Sequence, residues 1–556
     1  MKPALEQTIA AAIKELFGSE IQVELTRPDE QFGDYATNVA LQLAGKLNKK
    51  PPEVAAILME ELRVKLVGVV SDISVAGPGF LNFKLSDQAL VRALTVASPQ
   101  SLAGQTVVAE YSDPNPFKVL HAGHLYTSVV GDAIANLLEH AGAQVHRVNF
   151  GGDVGLHVGK TMWAMLKDLG GENPEGLQKY TSLDQQVAWL SDCYVTGNNA
   201  YDDDATARAE IVELNKRVYQ LHEQNDHDSP FAHIYWTSRQ WSYDYFNAFY
   251  EYLGSKFEKY YPESQTAPIG LATVKEHVGT VYQESDGAIV FDGEKYGLHT
   301  RVFINSHGLP TYEAKDVGLI MAKERDYHFD RSVIITGNDI IEYMKVVLKS
   351  IEQFEPKLAQ ATTHLTHGIV KLAGGVKMSS RLGNILRAVD VLDAAAAANK
   401  ATTGKEDKQV TLGAVKYAFL KQRLGGDIIY DPKESVSLEG NSGPYLQYAH
   451  ARARSILRKA DGQATGHVSD LQAGERSLVR KLSEYGEAID KATAELMPHH
   501  ICTYLYELAQ TFNRFYEHNR VIGDARQATR LALVAQYANT LKNGLQLLGI
   551  AAPDSM

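Results

Sequence analysis

The sequence predicts an α/β multidomain protein, and three observations carry that expectation. Short apolar runs such as TVVAEY, QVHRVNF and SVIIT alternate with amphipathic helical patterns, the order expected of a parallel sheet with crossover helices. An acidic, aromatic-rich helical stretch with no strand signal interrupts the alternation over about 160–265. A small α+β unit comes before, and a region helical almost throughout comes after. The 556 residues are therefore expected to divide into units at 1–100, 101–390 and 391–556.

Taken in order, the first unit reads as a helix at the start, a strand at IQVEL, a loop QFGDYATN, and helices at NVALQLAGKL and VAAILMEELRVKL. It closes with ISVAGPGFLNFKLS, where Gly77, Pro78 and Gly79 separate two strands of a hairpin. The central unit opens with a strand at 106–111, the turn-prone SDPNPF, and a helix with apolar positions Val129, Val130, Ile134, Leu137 and Leu138. The later runs AIVF, RVFI, SVIIT and HLTHGIV are expected to be further strands of the same parallel sheet. From about 390 the pattern is helical, with breaks near GGDIIYDP and ADGQATGHVSD.

Composition excludes several classes. Two cysteines, Cys193 and Cys502, rule out a disulfide framework and a cysteine-built zinc site. No uninterrupted run reaches the roughly 18 apolar residues of a membrane span. The first helix carries Glu6 and Glu15, which fits neither a secretory nor a transit signal, so a cytoplasmic protein is expected. A net charge of −12 argues against a general polyanion binder. Residues 168–228 hold 4 Lys/Arg against 13 Asp/Glu, whereas 441–540 hold 12 against 10, so any nucleic-acid contact is expected in the tail.

Two segments carry chemistry. AEYSDPNPFKVLHAGH (109–124) places His121, Gly123 and His124 at the start of the first crossover helix. A helix N-terminus offers free N–H groups and a positive dipole end to a phosphate, and Gly123 lets a nucleotide approach the backbone. The imidazoles can then donate to phosphoryl oxygens as charge develops. The plainer alternatives for such a pair are a surface contact or a fragment of a metal site. GGVKMSSRLGN (374–384) is a glycine-flanked loop whose Lys377 can neutralise a leaving pyrophosphate, or can simply be a solvated basic loop.

Together, HAGH after the first strand and KMSSR after a late one resemble the paired signature of class I aminoacyl-tRNA synthetases. Within that class the chain resembles the arginyl-tRNA synthetases over nearly its whole length. The stretches that carry the likeness include FGDYATNVALQLA (32–44), AEYSDPNPFKVLHAGHL (109–125), GGDVGLHVG (151–159), LPTYEAKDVGL (309–319), VKMSSRLGN (376–384) and GPYLQYAHARARSIL (443–457). The resemblance implies a Rossmann-like catalytic domain with a helical insertion, a small N-terminal tRNA-contacting domain and an all-α anticodon-binding domain. It implies ligation of L-arginine to its cognate tRNA through an arginyl-adenylate, with ATP as its Mg2+ complex and no zinc. A monomer is the expected assembly.

Residue by residue, the resemblance assigns catalysis to His121, His124, Lys118 and Lys377, and ATP binding to Pro114, Gly123, Met378, Ser379 and Ser380. It assigns arginine binding to Glu110, Asn115, Tyr312, Asp316 and Asn338. A guanidinium presents a planar fork of donors and needs fixed carboxylates, which Glu110 and Asp316 fit. Glu110 at a strand end can equally be a structural ion-pair partner. Ser380 stands where the class signature has a second lysine, and Lys118 is implied to supply that charge. For tRNA, the resemblance points to Tyr35, which can stack on an unpaired base or equally pack in a local core, and to Tyr448, Arg452 and Arg454 in the tail. Competing readings are a small-molecule nucleotidyltransferase, which would not require the long helical tail, and a catalytically silent tRNA-binding paralogue.

Overall fold

Five strands form one parallel sheet in the spatial order Thr362–His367, Arg331–Gly337, Thr106–Glu110, Gln144–Gly151 and Lys259–Pro262. The computed structural model describes residues 1–94, 100–373, 386–460, 468 and 470–556. Val107, Val108, Val333, Ile334 and Ile335 are all buried, because elements cover both faces of the sheet. From the strand Thr106–Glu110 the chain first builds outward to one side, then returns to add Arg331–Gly337 on the other. That reversal makes a crevice at the carboxyl ends of these two strands, where open α/β sheets bind ligands.

Helix Ala122–His140 is buried along most of its length between the sheet and helices of the C-terminal region. Helices Leu156–Asp168, Leu183–Asp203, Ala205–Glu223 and Pro230–Leu253 lie between the fourth and fifth strands and share their own core of Met162, Met165, Trp189, Phe231 and Tyr235. Ser182, Asp204 and Ser229 cap three of them at the N-terminus. Asp153, fully buried, ties this insertion to the sheet by accepting from Arg239 at 3.0 Å and from the Ser264 N–H at 2.8 Å.

Helices Glu263–Glu276 and Tyr312–Tyr327 cross closely at two glycines. A Cβ on Gly270 would stand 1.7 Å from the Ala314 carbonyl oxygen, and one on Gly318 2.1 Å from that of Thr266. Only the absence of side chains lets the backbones meet. The crossing brings Glu263 against Lys315 at the edge of the crevice.

Two expectations need correction. AIVF and RVFI do not join the parallel sheet: Ala288–Phe291 and Arg301–Ile304 pair antiparallel in a separate three-stranded sheet with Gln283–Ser285. IQVEL forms no strand, because the Leu25 N–H is taken by the Glu6 carboxylate at 3.0 Å rather than by a ladder partner. At the break in the helical pattern expected near GGDIIYDP, Ile428–Tyr430 forms a short strand, paired in parallel with Val370–Leu372.

The first unit packs on helices Ala473–Ser483 and Tyr485–Glu495 through the FGDY loop. Asp34, fully buried, accepts from Arg476 at 2.7 Å, from the Leu85 N–H at 2.7 Å, and lies 3.3 Å from Arg480. Of the two readings of Tyr35, the structure corrects the tRNA-binding one and favours packing. Its side chain is 1% exposed, Arg27 lies 3.9 Å over its ring, and its hydroxyl donates to Glu487 at 2.6 Å. The aromatic ring is a docking element, held because buried phenol and guanidinium groups need partners.

Asp34→Asn is expected to destabilise this junction by about 1–2 kcal/mol, since Arg476 and Arg480 each lose one charged acceptor and keep only the second, Asp87 at 3.3 Å and Glu484 at 3.4 Å. Thermal unfolding checks it, and an unchanged first transition would contradict the role.

Candidate functional site

The loop between the first parallel strand and its helix is held in a costly backbone conformation. Ser112, Asp113 and Phe117 have φ of 76°, 48° and 68°, so three non-glycine residues sit in the left-handed region within six positions. Such strain persists only where surrounding contacts over-determine it. Here the Phe117 N–H donates to Ser242 at 2.9 Å, Ser112 pairs with Tyr250 at 2.8 Å, and Asp113 accepts from the Phe150 N–H at 2.8 Å. Asn115 accepts from the Gly152 N–H at 2.7 Å, which fixes its amide so that the NH2 group is left to donate to a ligand. Pro114 is buried against Gly151 and does not line the nucleotide-sized cavity described below.

His121 is the N-cap of helix Ala122–His140. Its Nδ1 accepts from the N–H groups of Gly123 at 3.1 Å and His124 at 3.4 Å, and His124 Nδ1 accepts from the His121 N–H at 3.1 Å. The two rings stack with centroids 3.7 Å apart. The expectation that free helix N–H groups meet the phosphate is thereby corrected: the imidazoles occupy them, and the Ala122 N–H bonds the Leu386 carbonyl at 2.7 Å. Because each Nδ1 accepts, each proton resides on Nε2, which becomes the donor. Burial, with Lys118 nearby, lowers His121 to about 4, and burial with His121 and Lys118 pushes His124 well down, so both are neutral at pH 7.

His121 opens onto a cavity of about 940 Å3 lined also by Gly123, Asn338, Asp339, Gly368 and Asp427, among others. Its size and its place at the strand ends suit a nucleotide. Leu372 and Leu386, which flank the KMSSR segment, also line it. Lys377, Met378, Ser379 and Ser380 themselves lie outside the described residues. Asn338, expected beside arginine, is corrected to this cavity, where its amide donates to the Gly425 carbonyl at 2.9 Å. A groove of similar size on the insertion, lined by Trp163, Leu166 and Leu214, is bordered by the ion pairs Lys167–Glu210 and Arg217–Glu172 and gathers no catalytic side chains.

Beside the cavity is an acidic recess. Asp316, on helix Tyr312–Tyr327, accepts a hydrogen bond from Tyr343. Burial raises its carboxyl to about 7; the Tyr343 donor opposes that rise, and Glu110 and Glu263 add to it. Asp113 is also pushed well up, by burial first and then by Glu110. The cations within this group are already committed: Lys323, fully buried, pairs with Glu110, and Lys315 pairs with Glu263 at 2.6 Å. Among the described residues Asp316 thus has no cation of its own, and the cluster is suited to a positively charged ligand. Tyr312 is 59% exposed at its rim, 5.1 Å from Lys315.

Glu110 accordingly takes the structural reading of the two open to it, since a buried Lys323 requires a counter-charge. Sequence reasoning passed over Glu263, Lys315, Asp113 and Tyr343. Of these, Lys315 lay inside the YEAKD stretch and Asp113 inside SDPNPF, so a signal was available for both.

On helix Gly443–Lys459, Tyr448 is 46% exposed, Arg452 lies 4.7 Å over the Tyr516 ring, and Arg454 pairs with Asp554 at 3.1 Å. Tyr448 is therefore the one of these three side chains that is largely open to a partner.

Comparison with known proteins agrees along the chain. Residues 86–431 match the family model described as "tRNA synthetases class I (R), catalytic domain", 3–85 the "Arginyl tRNA synthetase N terminal domain", and 446–556 the "DALR anticodon binding domain". The chain is 32% identical to the arginine–tRNA ligase of Frankia casuarinae, over 99% of this chain and 98% of that one. It is 29% identical to that of Porphyromonas gingivalis, over 99% of each. The structure superposes on the arginyl-tRNA synthetase of Thermus thermophilus with a TM-score of 0.80 at 26% identity, covering all of both chains. It has the same fold as the Plasmodium falciparum enzyme, with a TM-score of 0.80 at 19% identity.

Proposed function

The chain belongs to the arginyl-tRNA synthetases of class I, and from that premise we propose that the recess around Asp316 receives the arginine side chain while ATP occupies the cavity beside His121 and His124. Its reaction is the charging of arginine onto tRNA. The observation that supports the site assignment is Asp316, a carboxyl raised by burial among acidic neighbours, with no paired cation among the described residues, and hydrogen-bonded by Tyr343 of a helix that starts two residues after the cavity-lining Asp339. A guanidinium supplies the missing positive charge and a fork of donors.

With the guanidinium at Asp316 and the Asn115 amide donating to the α-carboxylate, the carboxylate faces the mouth of the nucleotide cavity. Its oxygen attacks the α-phosphorus of ATP, the bond to the β-phosphate breaks, and pyrophosphate leaves. The Nε2–H groups of His121 and His124 donate to the phosphoryl oxygens that gain charge, and Lys118 and Lys377 neutralise the departing pyrophosphate. A ribose hydroxyl at the tRNA end then attacks the adenylate carbonyl and releases AMP. Mg2+ enters as part of the ATP complex, held chiefly by phosphate oxygens. A monomer is the proposed assembly, and ATP and tRNA as substrates support a cytoplasmic enzyme. No described helix is long and apolar enough to cross a membrane.

An aminoacylation panel with all twenty amino acids and total tRNA tests the assignment. Arginine is expected to be charged and the others not, with lysine the most informative competitor because it has charge but no planar fork. Preferential charging of any other amino acid would overturn it.

A further inference from the structure

Tyr343 lies on helix Ile341–Glu352, outside every stretch that marks the family likeness, yet it makes the direct hydrogen bond to Asp316. The charged groups facing Asp316 come from several elements. Lys315 and Lys323 share its helix and are paired with Glu263 and Glu110, and Glu313 is paired with Arg301 at 3.2 Å. Glu110 ends the central strand, Asp113 stands in the loop after it, and Glu263 starts the neighbouring helix. Against this mostly negative surrounding, Tyr343 supplies a neutral donor. Burial, then the charge of Asp316, raises its hydroxyl well above the usual phenol range, so it keeps its proton at every working pH.

We propose that Tyr343 is a positioning residue for arginine recognition: its hydroxyl holds Oδ2 of Asp316, so that Oδ1 stays turned toward the guanidinium. Oδ1 has no hydrogen-bond partner among the described residues. A carboxylate free to rotate would lose the geometry that a planar fork reads. The same donor favours the ionised carboxylate, so the tyrosine acts on both the direction and the protonation of its partner.

This inference rests on the assignment of Asp316 to arginine, and one experiment separates the two. Arginine and ATP KM values are measured by pyrophosphate exchange, with tRNA present, from pH 6 to 9 for wild type, Tyr343→Phe and Asp316→Asn. Tyr343→Phe is expected to raise the arginine KM about tenfold at pH 7, the scale of one hydrogen bond to a charged group, with the ATP KM within twofold. Its KM is also expected to stop falling only at a higher pH than in wild type, because the carboxyl then ionises later. A KM within twofold of wild type at each pH, or a rise of equal size at every pH, would overturn the positioning role. The unchanged ATP KM shows that the variant is folded. If Asp316→Asn keeps wild-type arginine KM, the assignment of Asp316 fails; if it loses arginine while Tyr343→Phe does not, the inference on Tyr343 alone fails.

Discussion

Asp316→Asn is expected to weaken arginine binding by about 2–4 kcal/mol, roughly 30-fold to 10³-fold, with ATP affinity nearly unchanged. The asparagine is isosteric and still accepts a hydrogen bond, but it offers the buried guanidinium neither a negative charge nor two acceptor oxygens. The pH dependence has a definite sign. In the empty site Asp316 titrates at about 7, raised by burial, so it is mostly protonated at pH 6 and mostly ionised at pH 8. Arginine binds the ionised form. Its affinity for wild type should therefore rise about tenfold between those pH values, in proportion to the competent fraction, with a proton released on binding near neutrality. In the asparagine variant that slope should vanish. Calorimetry at pH 6 and 8 in buffers of different ionisation enthalpy measures both quantities, and wild-type affinity within threefold in the variant would refute the assignment.

What could be read from the sequence followed the range of the interactions. His121 and His124 were legible because the four residues HAGH make their own capping contacts, with each Nδ1 bonded to backbone at most three positions away. YEAKD was legible because Asp316 and Tyr312 share one helix. The partners that set the behaviour of Asp316 were not, since Tyr343 stands 27 residues away and Lys323 reaches Glu110 across 213. Tyr35 stayed between stacking and packing for the same reason: an aromatic in a glycine-containing loop looks available for stacking, and its carboxylate partner Glu487 lies 452 positions further on. The runs AIVF and RVFI show how far local pattern reaches. Their alternation announces strands, yet nothing in a four-residue run tells which sheet will pair with it.

Lys118→Ala is expected to slow adenylate formation by about 10²–10³, the usual cost of losing one group that stabilises developing charge, while arginine affinity stays within about threefold. Two observations single out this lysine. Ser380 stands where the class signature has a second lysine, so one positive charge is missing from the segment that carries Lys377. Lys118, 4.9 Å over the Tyr194 ring, is close enough to His121 and His124 for its charge to lower the proton affinity of both. A second consequence follows. Without Lys118 the imidazoles should protonate at a higher pH, and a protonated Nδ1 can no longer accept the helix N–H groups that hold the rings in place. The acid limb of the activation rate should therefore move upward in Lys118→Ala. Restoring the class lysine offers the decisive arm: Ser380→Lys placed in the Lys118→Ala background should recover at least about tenfold in rate, because the same charge then reaches the pyrophosphate from the other signature segment. Single-turnover measurement of adenylate formation reads both variants. An unaltered rate in Lys118→Ala, or no recovery on adding Ser380→Lys, would show that the two positions do not share one electrostatic task.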